Sequence, residues 1–226
     1  MSSTPLMAED LLLLLFDPRS GTIAGEGTLY YTLAGAVLAD LAAGGHVEVD
    51  EDTTLTGRRV RAVTAAPPTD PLLREPWDRL TRKPRTAQVL LAEIGPMLRD
   101  PLLDRLVLAG HIGRERGRIL GVLPTTRLSA GRTSRRAELL DVVRPVLTEG
   151  AEPSPRTAAL AALLSASGSL PALYQDIPWS GRVATRAQEL ERGDWGASAA
   201  GEAVTRTTLA AALSSVSAVI AVTHGR

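Results

Sequence analysis

Residues 156–170, RTAALAALLSASGSL, place the tightest constraint on the fold of this chain. The segment reads as a helix and has almost no polar face. A helix that is apolar on nearly every side is usually central in a bundle, where other elements cover it. The sequence therefore predicts a helical bundle packed around this segment, with Leu160, Leu163 and Leu164 buried.

The composition supports a helical core. Hydrophobic residues make up 44% of the 226 residues and aromatic residues only 3%, so Leu, Ala and Val must do most of the packing. Such a composition favours helix over sheet. The chain has no cysteine, which excludes disulfides and thiolate metal sites and fits a reducing compartment. We predict a single domain that spans residues 1–226.

Hydrophobic periodicity and turn residues predict a mainly α fold of about eight helices with one or two β-hairpins. The first helix is expected to open at Thr4 and Pro5. A small hairpin is expected from HVEV at 46–49 and RRVRAV at 58–63. The predicted helices span residues 4–16, 30–43, 69–83, 84–95, 134–147, 156–170, 180–192 and 202–222, with another short one before the prominent hairpin.

One pattern occurs twice, 65 residues apart. Leu38-x-x-Leu41-x-x-x-Gly45-His46-Val47 recurs from Leu103 to Ile112 with the same spacing. Each copy predicts a helix, a glycine that stops it, and a strand that begins a hairpin. Two copies are too few for a solenoid, and both a duplication and ordinary helix–hairpin construction explain them.

Charge is strongly segregated although the net charge of the chain is zero. Residues 1–55 contain nine acidic residues and one arginine, whereas residues 110–136 contain seven arginines and one glutamate. Residues 56–85 contain eight basic and three acidic residues. Basic clusters of this kind indicate an anionic partner, either nucleic acid or lipid headgroups.

The sequence offers no catalytic, cofactor or metal site. It lacks the phosphate-binding loop, the nucleophile elbow and the paired histidines of metalloproteases. His46 and His111 occupy the same position after a helix, which favours a structural role for both. The acidic run 50–52 lacks the other ligands of a calcium loop. We therefore expect a protein that is not an enzyme and needs no cofactor.

The stretch GRERGRILGVLPTTRL at 113–128 joins positive charge to apolar residues. Three arginines alternate along its first strand, and an apolar group follows them at the turn. A membrane surface can use both halves, since guanidinium groups bind headgroup phosphate and aliphatic groups enter the acyl boundary. The arginines are Arg114, Arg116 and Arg118, and the apolar residues are Ile119, Leu120, Val122 and Leu123.

Two other interpretations of this hairpin stay open, besides a plain solvated hairpin. It could be the wing of a winged-helix nucleic-acid binder, or it could only pair with another subunit of a soluble scaffold. The helix before it, PLLDRLVLAGHI, is acidic and apolar, which disfavours insertion into a DNA groove. No segment reads as an export signal or as the ~20 apolar residues of a membrane span. We expect a cytoplasmic protein attached peripherally to the cytoplasmic face of a membrane.

Several blocks together resemble the Golgi phosphoprotein 3 family and its actinobacterial relatives. They are MAEDLLLLLFDPRSGTI, LAGAVLADLAAGGHVEV, GHIGRERGRILGVLPTTRL, TSRRAELLDVVRPVL and RTAALAALLSAS, in that order. The resemblance implies a mostly helical domain with a prominent β-hairpin. Eukaryotic members bind phosphatidylinositol 4-phosphate on Golgi membranes, engage the cytosolic tails of glycosyltransferases and self-associate through the hairpin.

The resemblance also assigns positions. It places the family's hairpin on residues 114–126, with Ile119, Leu120 and Val122 at its apolar tip, and one headgroup-binding arginine on Arg99. The other three pocket positions fall near Gly25, Ala34 and Pro96, where this chain has different residues. We predict a lipid-headgroup site made of Arg99 and the three hairpin arginines. The expected partners are an anionic phospholipid surface, membrane-protein tails and further copies of this chain.

Overall fold

Three helices with almost no exposed side chains form the centre of the molecule. The structure is a computed structural model that describes residues 4–54, 57–119 and 123–193 together with Ala210 and Ser214. The three helices are α1 (Met7–Leu15), α2 (Leu29–Ala43) and α7 (Pro155–Ala166), and they pack against one another. Leu160, Leu163 and Leu164 are all buried in α7, as predicted.

Five amphipathic helices surround this centre. Each presents an apolar stripe to the core and polar residues to solvent, as Leu73, Trp77 and Leu80 show for one of them. The predicted helix 202–222 lies outside the described residues except at Ala210 and Ser214, which are both helical. The surrounding helices are α3 (Pro71–Arg82), α4 (Ala87–Ile94), α5 (Arg99–Leu108), α6 (Arg135–Thr148) and α8 (Gly181–Glu191).

The mainly α fold is confirmed, and the strands form three small antiparallel sheets. The first two strands, β1 and β2, pair with each other. The predicted small hairpin is confirmed as β3 and β4, to which the two-residue β5 is added. The prominent hairpin is confirmed as β6 and β7. The strands are β1 (Phe16–Asp17), β2 (Thr22–Ile23), β3 (Val47–Thr54), β4 (Gly57–Ala62), β5 (Arg85–Thr86), β6 (Ile112–Ile119) and β7 (Leu123–Ala130).

The repeated sequence pattern corresponds to one repeated local structure. Gly45 and Gly110 follow α2 and α5 with φ of 68° and 74°, a left-handed conformation that glycine adopts without strain. The next amide, of His46 or His111, donates to the carbonyl oxygen five residues earlier, at 2.8 and 2.9 Å respectively. His46 Nδ1 donates to the Ala66 carbonyl at 2.7 Å. The two histidines therefore close equivalent helix ends, as predicted.

The start of the first helix differs from the prediction, which placed it at Thr4 and Pro5. The helix begins at Met7 because its cap comes from a distant residue, Asp40 of α2. The Asp40 carboxylate accepts hydrogen bonds from the backbone amides of Met7 at 2.8 Å and Ala8 at 3.2 Å. Amides at a helix start need an acceptor. Glu9 supplies one locally for the Leu6 amide, at 2.7 Å, but the acceptors for Met7 and Ala8 come from α2.

A buried carboxylate ties the outer helices to the centre. Asp10 of α1 is only 1% exposed, and two arginines from different helices converge on it. Arg135 of α6 donates at 2.8 Å to Asp10 Oδ2, and Arg156 of α7 donates to the same oxygen at 2.7 Å. A buried charge is tolerated when it is paired and hydrogen-bonded in this way. The network fixes α6 and α7 against α1, and α6 directly follows the prominent hairpin.

Candidate functional site

The prominent hairpin is a continuous two-stranded ribbon. Its register runs from Ile112 opposite Ala130 to Ile119 opposite Leu123, without a bulge. Eight residues of extended strand span about 26 Å. Residues 120–122, which include the predicted contact residues Leu120 and Val122, lie outside the described residues. The pairing therefore places Ile119 and Leu123 at the far end of the described ribbon, which we call the tip.

The base of the ribbon is anchored to the helical body. Ile112 is buried, and Leu128 packs against the core from the opposite strand. Arg114 donates from Nη1 to Oδ1 of Asp104 on α5, at 2.5 Å. Of the three predicted hairpin arginines, Arg114 is thus already paired with a carboxylate of its own chain.

Arg116 and Arg118 lie further out along β6. Residues two apart in a strand share a face, so these positions follow Arg114 on one face toward the tip. They lie opposite Thr126 and Pro124 in the register. The strand backbone thus brings the two predicted arginine positions next to the apolar tip.

Arg99 sits in a separate place. It is the first residue of α5, and its guanidinium binds Glu26 Oε1 at 2.7 Å and Asp100 Oδ1 at 3.1 Å. Arg99 and Asp104 are five residues apart on α5, about 140° around the helix axis at 3.6 residues per turn. The Arg99 side chain and the Asp104–Arg114 pair therefore face different sides of α5. The structure does not bring Arg99 together with the hairpin arginines.

The other three positions that the resemblance assigned to the headgroup pocket carry small or apolar residues in this chain. Ala34 is completely buried inside α2, so a headgroup has no access to it. Gly25 and Pro96 are exposed but provide no charged side chain. The Glu26 carboxylate is already bound to the Arg99 guanidinium, and an anionic headgroup would have to bind that same guanidinium.

A groove that the sequence did not predict lies beside the hairpin base. It has a volume of about 210 Å³ between the turn Pro18–Gly21 and the hairpin. A Cβ on Gly21 would come within 2.4 Å of the Leu128 carbonyl oxygen, so this turn approaches β7 as closely as glycine allows. The hairpin side of the groove is lined by Glu115, Arg127, Leu128 and Ser129.

The turn side of the groove is held by a network of charges. Arg19 binds Asp17 at 3.0 Å and Asp176 at 3.2 Å, and Ser20 Oγ donates to Asp17 at 2.9 Å. Burial acts to raise the pKa of Asp17, but hydrogen bonds from Arg19 and Ser20 outweigh it and lower that pKa to about 2. Asp17 is therefore ionised at neutral pH and balances the charge of Arg19. Sequence alone gave no signal for this groove, because its two sides are about a hundred residues apart.

The basic residues of the segment 56–85 lie on β4, α3 and β5, with Lys83 between α3 and β5. Arg85 binds Glu93 at 3.1 Å. Arg59, Arg82 and Lys83 are exposed and have no ion-pair partner in the described part of the chain. Across the same described residues, no group of three or more His, Cys, Asp or Glu side chains is placed to hold a metal ion. No helix in that part of the chain is long and apolar enough to cross a bilayer.

Comparison with protein families gives a match. The family model of Golgi phosphoprotein 3 matches residues 7–207, which includes α1, both hairpins and α8. A search among curated proteins finds no match to this chain. The family match agrees with the resemblance inferred from the sequence blocks.

Proposed function

The chain belongs to the Golgi phosphoprotein 3 family, and from this we propose that it binds the surface of anionic phospholipid membranes as a peripheral protein. The family match suggests a lipid-binding role, and the family is not known for enzymes. In our proposal the contact is made by the outer half of the hairpin, from Arg116 to the tip at 119–123. The cytoplasmic face of a membrane is the expected location.

The observation that carries this proposal is the register of the hairpin. It carries the backbone positions of Arg116 and Arg118 and the apolar residues Ile119 and Leu123 along one ribbon, in that order toward the tip. Neither a few basic groups nor a few aliphatic side chains alone bind a membrane strongly. Each basic group near an anionic surface contributes about 1 kcal/mol. A combination of both is what peripheral binding requires.

Ion pairing decides which arginines matter most. Arg114 and Arg99 are each bound to carboxylates of this chain, so their charges are largely balanced before any lipid arrives. We assign the main electrostatic contribution to Arg116 and Arg118, whose backbone positions lie nearest the tip. Specificity for phosphatidylinositol 4-phosphate would have to rest on Arg99, and it would require the Glu26 carboxylate to give up that guanidinium.

The alternative of nucleic-acid binding is weakened by α5, the helix that would read the DNA groove. Its exposed polar groups include Asp100 and Asp104, which are 82% and 63% exposed. Both carboxylates are bound to arginines of this chain, and Arg105 of α5 is bound to Asp70, so the helix offers no unpaired cation to the phosphates that flank a groove. A soluble scaffold and self-association through residues 114–126 both stay possible outcomes of experiment, as does binding to membrane-protein tails.

Vesicle flotation tests the proposal. The parent protein should float with phosphatidylglycerol vesicles and not with phosphatidylcholine vesicles. The double variant Arg116→Ala/Arg118→Ala should lose about 2 kcal/mol of binding, roughly thirtyfold, and less at high salt. Replacing Ile119, Leu120 and Val122 by Ser should weaken binding by an amount that salt barely changes.

A matched control removes the same charge elsewhere. The control variant Arg182→Ala/Arg192→Ala changes one arginine on α8 and one directly after it. Both arginines are exposed, and α8 packs against α6 and α7. This control should float nearly as the parent does. Duplex DNA binding that depends on the arginines but not on the tip would support the nucleic-acid alternative instead. If the hairpin double variant floats as well as the parent, the membrane proposal is wrong.

A further inference from the structure

The groove at the hairpin base contains two opposite charges that no described residue of the chain balances. Glu115 and Arg127 lie directly opposite each other in the register, and the groove is lined by both. Residues so paired have Cβ atoms about 5 Å apart. Nevertheless they form no ion pair with each other or with any other residue that the structure describes. Both side chains are exposed, so a ligand can reach them.

The rest of the groove is polar and its charge is already balanced. Arg19 is fixed by Asp17 and Asp176. The hydroxyls of Ser20 and Ser129 line the same space. The Ser20 hydroxyl already donates to Asp17, so the groove offers one available cation, one available anion and the Ser129 hydroxyl, arranged across a turn and a strand pair.

The size of the groove limits the ligand. Its volume of about 210 Å³ is below the roughly 300–1,000 Å³ of sites for drug-sized molecules. A single polar headgroup suits this space, whereas a sugar nucleotide or a whole lipid does not. A ligand with one anionic and one cationic group would satisfy both free side chains.

We propose that the groove binds a zwitterionic phosphodiester headgroup of the phosphoethanolamine type. Arg127 would bind the phosphate, and Glu115 would accept hydrogen bonds from the ammonium group. This inference rests on the proposed membrane function, because the hairpin has to bring the groove to the bilayer. It places headgroup recognition at the hairpin base, away from Arg99.

The geometry fixes how the hairpin must lie. Glu115 is four residues from Ile119, about 13 Å along the strand. The headgroup layer is about 5–8 Å thick on each side of the hydrocarbon core. For the tip to reach the acyl boundary while the groove holds a headgroup, the ribbon must be inclined by about 50° or more from the bilayer normal. A tilted ribbon would also bring Arg116 and Arg118 into the headgroup layer between the two contacts.

Two vesicle preparations of equal charge test the groove. One contains phosphatidylglycerol with phosphatidylcholine in equal parts, and the other contains phosphatidylglycerol with phosphatidylethanolamine in equal parts. The choline ammonium has no N–H to donate, whereas the ethanolamine ammonium has three. The parent protein should bind the ethanolamine vesicles about tenfold more tightly.

Two substitutions assign that preference to the groove. Arg127→Ala and Glu115→Gln should each abolish it. Glu115→Gln should also bind pure phosphatidylglycerol vesicles at least as tightly as the parent, because it removes a negative charge from a basic hairpin. This second readout excludes loss of folding as the cause. The control Arg182→Ala should keep the full preference.

A soluble probe separates headgroup recognition from membrane docking. Glycerophosphoethanolamine should bind the parent protein in titration calorimetry, and glycerophosphocholine and inorganic phosphate should bind more weakly. Equal affinity for the two vesicle preparations would overturn the groove proposal and leave membrane docking standing. Failure to bind any vesicle would overturn membrane docking instead. Headgroup binding in the groove would then be tested by glycerophosphoethanolamine titration alone. Absence of calorimetric binding would in that case overturn the groove as well.

Discussion

Asp40 should make the stability of this protein depend on pH. Its carboxylate is buried, with the residue 9% exposed, and it caps the amides of Met7 and Ala8. Burial disfavours the charged form and raises the pKa of Asp40 from 3.8 to about 7. The two amides and Arg156 act in the opposite direction, and Asp10 adds to the rise.

The direction of the pH dependence of stability follows from that raised pKa. The folded protein holds the Asp40 proton up to about pH 7, whereas the unfolded chain releases it near 3.8. The stabilisation that the Asp40 proton gives the folded protein is therefore complete below about pH 4, and it is lost as the pH rises through 7. Each pH unit between these values is worth about 1.4 kcal/mol. The free energy of unfolding should fall by about 2 kcal/mol between about pH 5 and about pH 7 from this group alone.

Asp40→Asn isolates the effect, because asparagine does not titrate. Urea unfolding followed by circular dichroism should show a pH slope in the parent that is shallower in the variant by about 2 kcal/mol over that range. Asp141→Asn, an exposed position on α6, should keep the slope of the parent. Identical slopes for the parent and Asp40→Asn would refute the reasoning. They would mean that the carboxylate stays ionised at the start of α1.

Three further changes test other parts of the structure. Leu163→Ala in α7 should cost about 2–5 kcal/mol of unfolding free energy, because the Leu163 side chain is completely buried. A loss below about half a kcal/mol would contradict a central position of α7. Gly21→Ala should reduce the free energy of unfolding by about 1–3 kcal/mol in the same assay, because Gly21 has a φ of 71° and the new Cβ would lie 2.4 Å from the Leu128 carbonyl oxygen. An unchanged unfolding midpoint would mean that the turn can move away from the hairpin. Deletion of 114–123 should abolish concentration-dependent dimers or larger species in light scattering, and a parent protein that is monomeric at all concentrations would rule out association through the hairpin.

Periodicity and composition were sufficient to predict most of the fold. The apolar segment that became α7 could be stable only when covered, so its burial followed from the sequence alone. The two glycine stops were predicted because a helix ends easily where a left-handed residue is possible. Alternation of residues and a turn-forming segment predicted the hairpin and its tip. These features are local, and the sequence carries them within a few residues.

The sequence could not show which charged groups are already paired. Arg114 looked equivalent to Arg116 because the two are neighbours on one strand, but only the packing of the hairpin base brings Asp104 against Arg114. Likewise Arg99 matched a headgroup-binding position, whereas the fold brings Glu26 to it from 73 residues away.

The groove and the helix cap also needed the tertiary structure. The turn at 18–21 and the strand at 127–129 form one groove only after folding, and Asp40 caps α1 from the neighbouring helix. Local sequence determines where a helix or strand forms, because backbone hydrogen bonds and side-chain periodicity act over short distances. Whether a charge is free, paired or buried depends on groups that are distant along the chain, and only the packed structure brings them within hydrogen-bonding distance.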